Sequence, residues 1–350
     1  GEFPFSPVTG TTLFAHHAAR IAALRRRYGC ALPWYIMTSP QNDAQTRSFF
    51  AANDWFGLPA ESIGIFQQGL LPAVDRTTGA ILLEQSDAIA LSPDGHGGLF
   101  PALGRNGVLD DMDARGITTF VTYNVDNPIG RVGRAEFLGH HRTFGSEMSN
   151  IVVRKRHPQE RVGVVAKLGD RSVLVEYSDL PAELAAATEA DGSLRFWAGS
   201  VASHAIECAF ARRVTGGLPY HRAIKRVPYI DQNGNLIEPD EPNAIKFETF
   251  MFDALPLATA TLSVESLRQD EFSPIKNADG DDSPATVRRD MNRLYARWLR
   301  QAGVMIEVSP DGDPTIDLEI DPRYALDPDE LRDRLPRGFS PQPGTPIVLR

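Results

Sequence analysis

The chain has 350 residues, of which 42% are hydrophobic, 9% aromatic and 23% charged, enough apolar material for a sizeable core and incompatible with a disordered or fibrous protein. Lys and Arg number 36 against 45 Asp and Glu, a formal net charge of −9, which argues against a general nucleic-acid or anionic-membrane binder but leaves room for a local basic pocket. Only Cys30 and Cys208 are present, too few and too far apart for a disulfide framework or a cysteine metal site, so the chain reads as belonging to a reducing, cytoplasmic setting.

No run approaches the ~20 apolar residues of a membrane helix, and the first residues carry no basic-then-apolar signal pattern. The opening segment, Gly1-Glu-Phe-Pro-Phe-Ser-Pro, is turn-rich, and a front portion ahead of it is expected. Residues 12–27 carry apolar positions at helical spacing, and Trp34–Thr38 follows as a short buried strand. Residues 41–53 read as a helix, 62–66 as a strand, 107–115 as a short helix, and 117–124 as the strongest strand signal. Strands alternating with helices predict a parallel, doubly wound arrangement. After residue 148 the stretches 150–154, 162–167 and 172–177 read as antiparallel strands. Helices are expected at 200–213 and 285–301 around a strand at 262–265. From Gly303 the composition shifts to Asp and Pro, which predicts a main domain over 1–302 and a small unit over 303–350.

Several stretches could carry chemistry. Pro93-Asp-Gly-His-Gly-Gly98 brings backbone N–H groups close to a ligand, although a Gly-rich stretch is also an ordinary turn. It has neither the dinucleotide spacing nor the terminal Lys of a phosphate loop. Asp126 stands at the carboxyl end of the 117–124 strand, where ligands bind in open α/β sheets, and is the metal candidate; the competing reading is an Asx-Pro turn by Asp126-Asn127-Pro128. The chain has five lysines against 31 arginines, so Lys246 and Lys276 in polar, turn-like segments draw notice as neutralisers of phosphate charge, or else as solvated surface residues. Glu176 and Tyr177 could hold sugar hydroxyls, and Phe247, Phe250 and Phe252 could line a sugar face or simply fill a core. His140-His141 has no third ligand nearby.

These segments together resemble the eukaryotic-type UDP-N-acetylglucosamine pyrophosphorylases within the wider UDP-sugar pyrophosphorylases. The matching pieces stand in one order: Pro33-Trp-Tyr-Ile-Met-Thr-Ser39, Phe66-Gln-Gln-Gly69, Pro93 to Gly98, Val125-Asp-Asn127, Val175-Glu-Tyr-Ser178, Lys246 to Asp253, and Asp270 to Asp279. The resemblance implies a Rossmann-like α/β nucleotidyltransferase fold with a mixed, mainly parallel central sheet. It also implies a reaction of UTP with a sugar-1-phosphate, most readily N-acetylglucosamine-1-phosphate, that gives a UDP-sugar and pyrophosphate with Mg²⁺. By the same analogy Gln68, Gly95 and His96 meet the nucleotide, Asp126 holds the metal, and Lys276 contacts phosphates. Glu176, Tyr177, Ser200, Lys246, Phe250 and Phe252 then surround the sugar.

Three departures from the resembled pattern stand out. The family's Gly-rich loop with its Arg, and the Pro-Lys-Gly segment after it, would lie just ahead of residue 1; a chain without them would be a non-catalytic UDP-sugar binder. His96 replaces an Asn and makes a Gly-His-Gly turn similar to UDP-glucose pyrophosphorylases. Ser200 stands where an Asn near the sugar is usual. The last two changes leave glucose-1-phosphate as an alternative substrate.

Overall fold

A computed structural model describes residues 1–342 and 344–350. Helix α1, Leu13–Tyr28, starts where the Thr12 side chain accepts from Ala15 N–H and stops where Gly29 turns left-handed at φ 61°. Strand β1, Trp34–Thr38, and strand β2, Ile63–Gln67, pair in parallel with Trp34 opposite Ile63, and helix α2, Asp43–Ala52, makes the crossover between them. Helices α3, Leu99–Arg105, and α4, Val108–Ala114, lead into strand β3, Thr119–Thr122. Helix α5 covers Ala135–Phe144.

The central sheet is built from β3 and five later strands: β4, Met148–Arg154; β5, Val164–Leu168; β6, Arg171–Val175; β7, Ala198–Glu207; and β8, Thr261–Glu265. Its order is β6–β5–β7–β4–β8, with β3 also on β7. Only β4–β8 is parallel; β5–β6, β5–β7, β3–β7 and β4–β7 are antiparallel. The sheet is therefore mixed, but not mainly parallel. Short turns after residue 148 let successive strands fold back on one another, whereas each parallel pairing needs a long crossover.

The helix expected over 200–213 is also corrected. Residues up to Glu207 belong to β7, and only Cys208–Val214 form a helix, α6. β7 pairs along almost fully buried β4, from Ala198 opposite Arg154 to Ile206 opposite Met148. A register shift between Ser200 and His204, with Ala202 at φ 55°, breaks the strict alternation that would have marked a strand in the sequence. Lys246 likewise lies not in a turn but in a strand, Ala244–Thr249, antiparallel to Tyr220–Lys225.

The main core packs Phe100 and Leu103 of α3 and Leu109 and Met112 of α4 against Phe210 of α6 and Leu255. A second core forms around helix α7, Pro284–Gln301, which opens with a Ser283–Thr286 capping box. It gathers Phe5 and Leu13 from the front of the chain with Leu318, Ile320, Leu331 and Ile347 from its end. Glu319 accepts from the Val8 and Thr9 N–H groups at 2.9 and 2.8 Å, and Arg27 pairs with Asp327 at 2.7 Å.

Phe210 has no exposed surface whereas Leu168 is 72% exposed. Phe210→Ala is expected to lower unfolding free energy by about 3–5 kcal/mol, and Leu168→Ala by less than about 0.5 kcal/mol, as read by urea denaturation.

Candidate functional site

β1 and β3 line a cleft of about 1380 Å³ through Trp34–Thr38 and Thr119–Asp126, with Gly1–Phe3, Phe14, Phe66, His96 and Met251 among its other lining residues. Among the described residues β1 pairs only with β2 and β3 only with β7, so one edge of each is unpaired.

The Gly-rich turn meets the cleft at His96. Gly95 sits at φ 83°, and a Cβ there would come within 2.5 Å of Thr249 O. At Gly97 it would meet the Phe250 backbone at 2.7 Å, and at Gly98 the Asp94 carboxylate at 2.0 Å. These glycines are required by close approach to Asp94 and to the 249–250 backbone, which the sequence could not separate from ligand contact. Met251 N–H donates to His96 Nδ1 at 3.0 Å, which leaves the ring proton on Nε2. Phe250 lies between two imidazoles, with ring centroids 5.4 Å from His96 and 4.3 Å from His221, and Phe252 is 5.3 Å from His96. His221 Nε2 bonds Asp253 Oδ2 at 2.7 Å. This His–Asp pair went unnoticed in the sequence because 32 residues separate its members.

Gln68 follows β2, its N–H donating to Thr38 O at 2.8 Å, and Asp94 N–H donates to Gly69 O at 3.1 Å, so Gln68 stands beside the 94–98 turn. On the other side, Ile275 N–H donates to Asp126 O at 2.8 Å. The Lys276 charge pulls the Asp126 carboxyl downward, but burial dominates and raises it above the ordinary value. Asp126 Oδ1 is buried and has no hydrogen-bond partner among the described residues. Burial also raises the Glu176 carboxyl, with the Lys276 and His221 charges opposing. Of the expected site residues only His96 and Asp126 line the cleft itself; Gln68, Gly95, Phe250 and Phe252 adjoin it through the 94–98 turn, and Lys276 acts on Asp126 and Glu176 through its charge alone.

The remaining sugar-side residues are less directly connected. Ser200 N–H donates to Gly163 O at 2.8 Å, and a Cβ on Gly163 would lie 3.4 Å from Glu176 Oε1, which brings Ser200 to the edge of this group. Lys246 shares a strand face with Glu248 and, across the ladder, with His221. Tyr177 is 48% exposed beyond the end of β6 and is not among the described residues that line the cleft. His141 is a structural residue, with Nδ1 2.8 Å from Ser149 Oγ and Nε2 2.9 Å from Glu207 Oε1.

Helix α1 anchors the Asp126 loop. His17 Nε2 reaches Val125 O at 3.0 Å, His16 Nε2 reaches Pro128 O at 3.1 Å, and Arg20 donates to Pro128 O at 2.6 Å and to Gly130 O at 2.5 Å. Burial holds His17 and His204 down at about 3, His96 at about 4, and His16 well below its ordinary value. Unfolding would let these four imidazoles bind protons that the folded chain refuses. Their contribution to stability is fully present above about pH 6.5 and is lost as pH falls to about 4 for His96 and about 3 for His17 and His204, opposed by the raised carboxyls of Asp94, Asp126 and Glu176. The urea midpoint is expected to drop between about pH 7 and pH 5, and His204→Gln should flatten that drop.

The chain is similar to known proteins over most of its length. The chain is 39% identical over 346 residues to UDP-N-acetylhexosamine pyrophosphorylase-like protein 1 of Xenopus tropicalis, a match covering 92% of this chain and 68% of that protein. It is 37% identical to UDP-N-acetylglucosamine pyrophosphorylase of Saccharomyces cerevisiae, covering 79% of this chain and 60% of that one, so it spans about two thirds or less of these relatives. The solved uridine diphosphate N-acetylglucosamine pyrophosphorylase of Trypanosoma brucei superposes with a TM-score of 0.83 at 27% identity, over 100% of this chain and 75% of that one. A family model described as UTP–glucose-1-phosphate uridylyltransferase matches residues 8–295, and the chain belongs to that family.

Proposed function

We propose that the chain is a nucleotidyltransferase that joins UTP and a sugar-1-phosphate into a UDP-sugar and releases pyrophosphate. The observation that carries this reading is Asp126 at the strand-end side of a cleft that His96 of the 94–98 turn also lines, with the Lys276 loop bonded to it through Ile275 N–H to Asp126 O. A phosphate oxygen of the sugar-1-phosphate attacks the α-phosphorus of UTP, the new P–O bond forms as the bond to pyrophosphate breaks, and no general base is needed because the nucleophile is already anionic. The demand on the protein is alignment of two polyanions and neutralisation of their charge. Lys276 supplies one positive charge, and Gln68 with the Gly95 backbone is suited to the uracil edge. His96, Phe250 and Phe252 offer an aromatic wall, and Glu176 an acceptor for hydroxyls.

The orphaned, buried Oδ1 of Asp126 fits a divalent cation such as Mg²⁺, which commonly takes one or two carboxylates and completes its shell with water and substrate phosphates. When bound, that ion neutralises phosphate charge during transfer. The chain of β1, α2 and β2 supports a Rossmann-like plan around the nucleotide. Residues 303–350 form a small unit that shares its core with α7 and the front of the catalytic part. Both cysteines are free, in keeping with a cytoplasmic protein.

N-acetylglucosamine-1-phosphate is the favoured sugar, from the relatives' names. Glucose-1-phosphate is the second reading, favoured by His96 in its Gly-His-Gly turn and by Ser200. The test is a panel of sugar-1-phosphates with UTP and Mg²⁺ on the full-length gene product, read by pyrophosphate release. Release with a hexosamine- or hexose-1-phosphate is the expected outcome; binding of a UDP-sugar without release from any of them would make the protein a binder. Lys276→Ala is expected to lower kcat by about 100-fold or more while UDP-sugar affinity changes by less than about tenfold; equal losses in both would remove its assigned role.

A further inference from the structure

The two proposed catalytic groups sit on different loops, Asp126 on 125–131 and Lys276 on 271–276, and the Asn127 side chain bridges them at two points. Asn127 is 7% exposed. Its Nδ2–H donates to Glu271 O at 2.9 Å, and its Oδ1 accepts from Ser273 N–H at 3.0 Å. Both ends of the amide are therefore spent on main chain of the lysine-bearing loop. The turn at 124–127 closes through a backbone bond, Asn127 N–H to Asn124 O at 3.2 Å, so the side chain is free for this other task. Flanking bonds run the same way: Ile275 N–H to Asp126 O at 2.8 Å, and Arg131 N–H to Glu271 Oε1 at 3.0 Å. Gly130 leaves room for the amide, since a Cβ there would come 2.8 Å from Nδ2.

We propose that Asn127 is a positioning residue that clasps the two loops and so fixes the loop bearing Asp126 relative to the loop bearing Lys276. It does not line the cleft. Neither Asp nor Leu can replace it: a carboxylate lacks the donor that Glu271 O needs, and an isosteric alkyl group lacks both partners, stranding a buried N–H and a buried C=O. Loss of the clasp lets one loop shift against the other without opening either core, and displacement on the order of 1 Å is enough to cost about 100-fold in a reaction that depends on alignment.

This inference rests on the uridylyl-transfer reading, and two readouts keep them separable. Asn127→Ala and Asn127→Asp are made in the full-length gene product. Amide hydrogen exchange is followed at 271–276 and in α7, and kcat and KM for UTP are measured with UTP, Mg²⁺ and the best sugar-1-phosphate. For the Ala variant, kcat is expected to fall about 100-fold with KM for UTP changed less than about threefold, and exchange at Ser273 and Ile275 to accelerate while α7 stays protected. The Asp variant, which keeps the acceptor for Ser273, is expected to lose less, and it decides by the same readouts if the Ala variant does not fold. Unchanged exchange at 271–276, or a kcat loss below about threefold, overturns the proposal. A wild-type protein that releases no pyrophosphate overturns the transfer reading, and the exchange data then decide the clasp alone.

Discussion

The site depends on how helix α1 holds a loop that has no ladder of its own. A strand-end loop exposes carbonyls that neither helix nor sheet can satisfy, and each must find a donor or remain in water. Here the donors come from one face of α1: His17 takes Val125 O, His16 and Arg20 take Pro128 O, and Arg20 takes Gly130 O. Guanidinium–carbonyl bonds are charge-assisted and stronger than neutral ones, so the loop bearing Asp126 is held at several points along a short length. The arrangement requires His16 and His17 to stay uncharged beside Arg20, and burial together with that arginine's charge enforces it.

The electrostatics of the chain and of its site run in opposite senses. The protein carries a formal charge of −9, yet its proposed substrates are polyanions. Concentrating a few cations where phosphates meet resolves this, because short-range pairing in a cleft outweighs a diffuse repulsion that salt screens within about 10 Å. With only five lysines in the sequence, Lys276 beside Asp126 is a local departure from the arginine-rich surface.

The βα rhythm of the first half was legible because each element there has its own period: α1, β1, α2, β2 and β3 all lie within a few residues of where the pattern puts them. β7 was not, because it is bulged at Ala202 and continuously buried over residues 203–206, so its apolar residues recur at neither two nor 3.6. At the site, Asp126, Lys276, His96, Phe250 and Phe252 stood in recognisable motifs. His221, Asp253 and the α1 anchors did not, since their meaning lies in partners 32 to more than 100 residues away. Asn127 was visible but read as a local turn former, and only the structure reveals that its amide faces another loop.

The front of the chain and its last fifty residues are sewn into a single core by Glu319, by Arg27 with Asp327, and by apolar contacts from Phe5 to Ile347. What looks by composition like a detachable tail is thus a buttress for α1. Proteolytic nicking there would not trim an appendage; it would loosen the helix that pins the Asp126 loop, so cleavage and inactivation would proceed together as one all-or-none event.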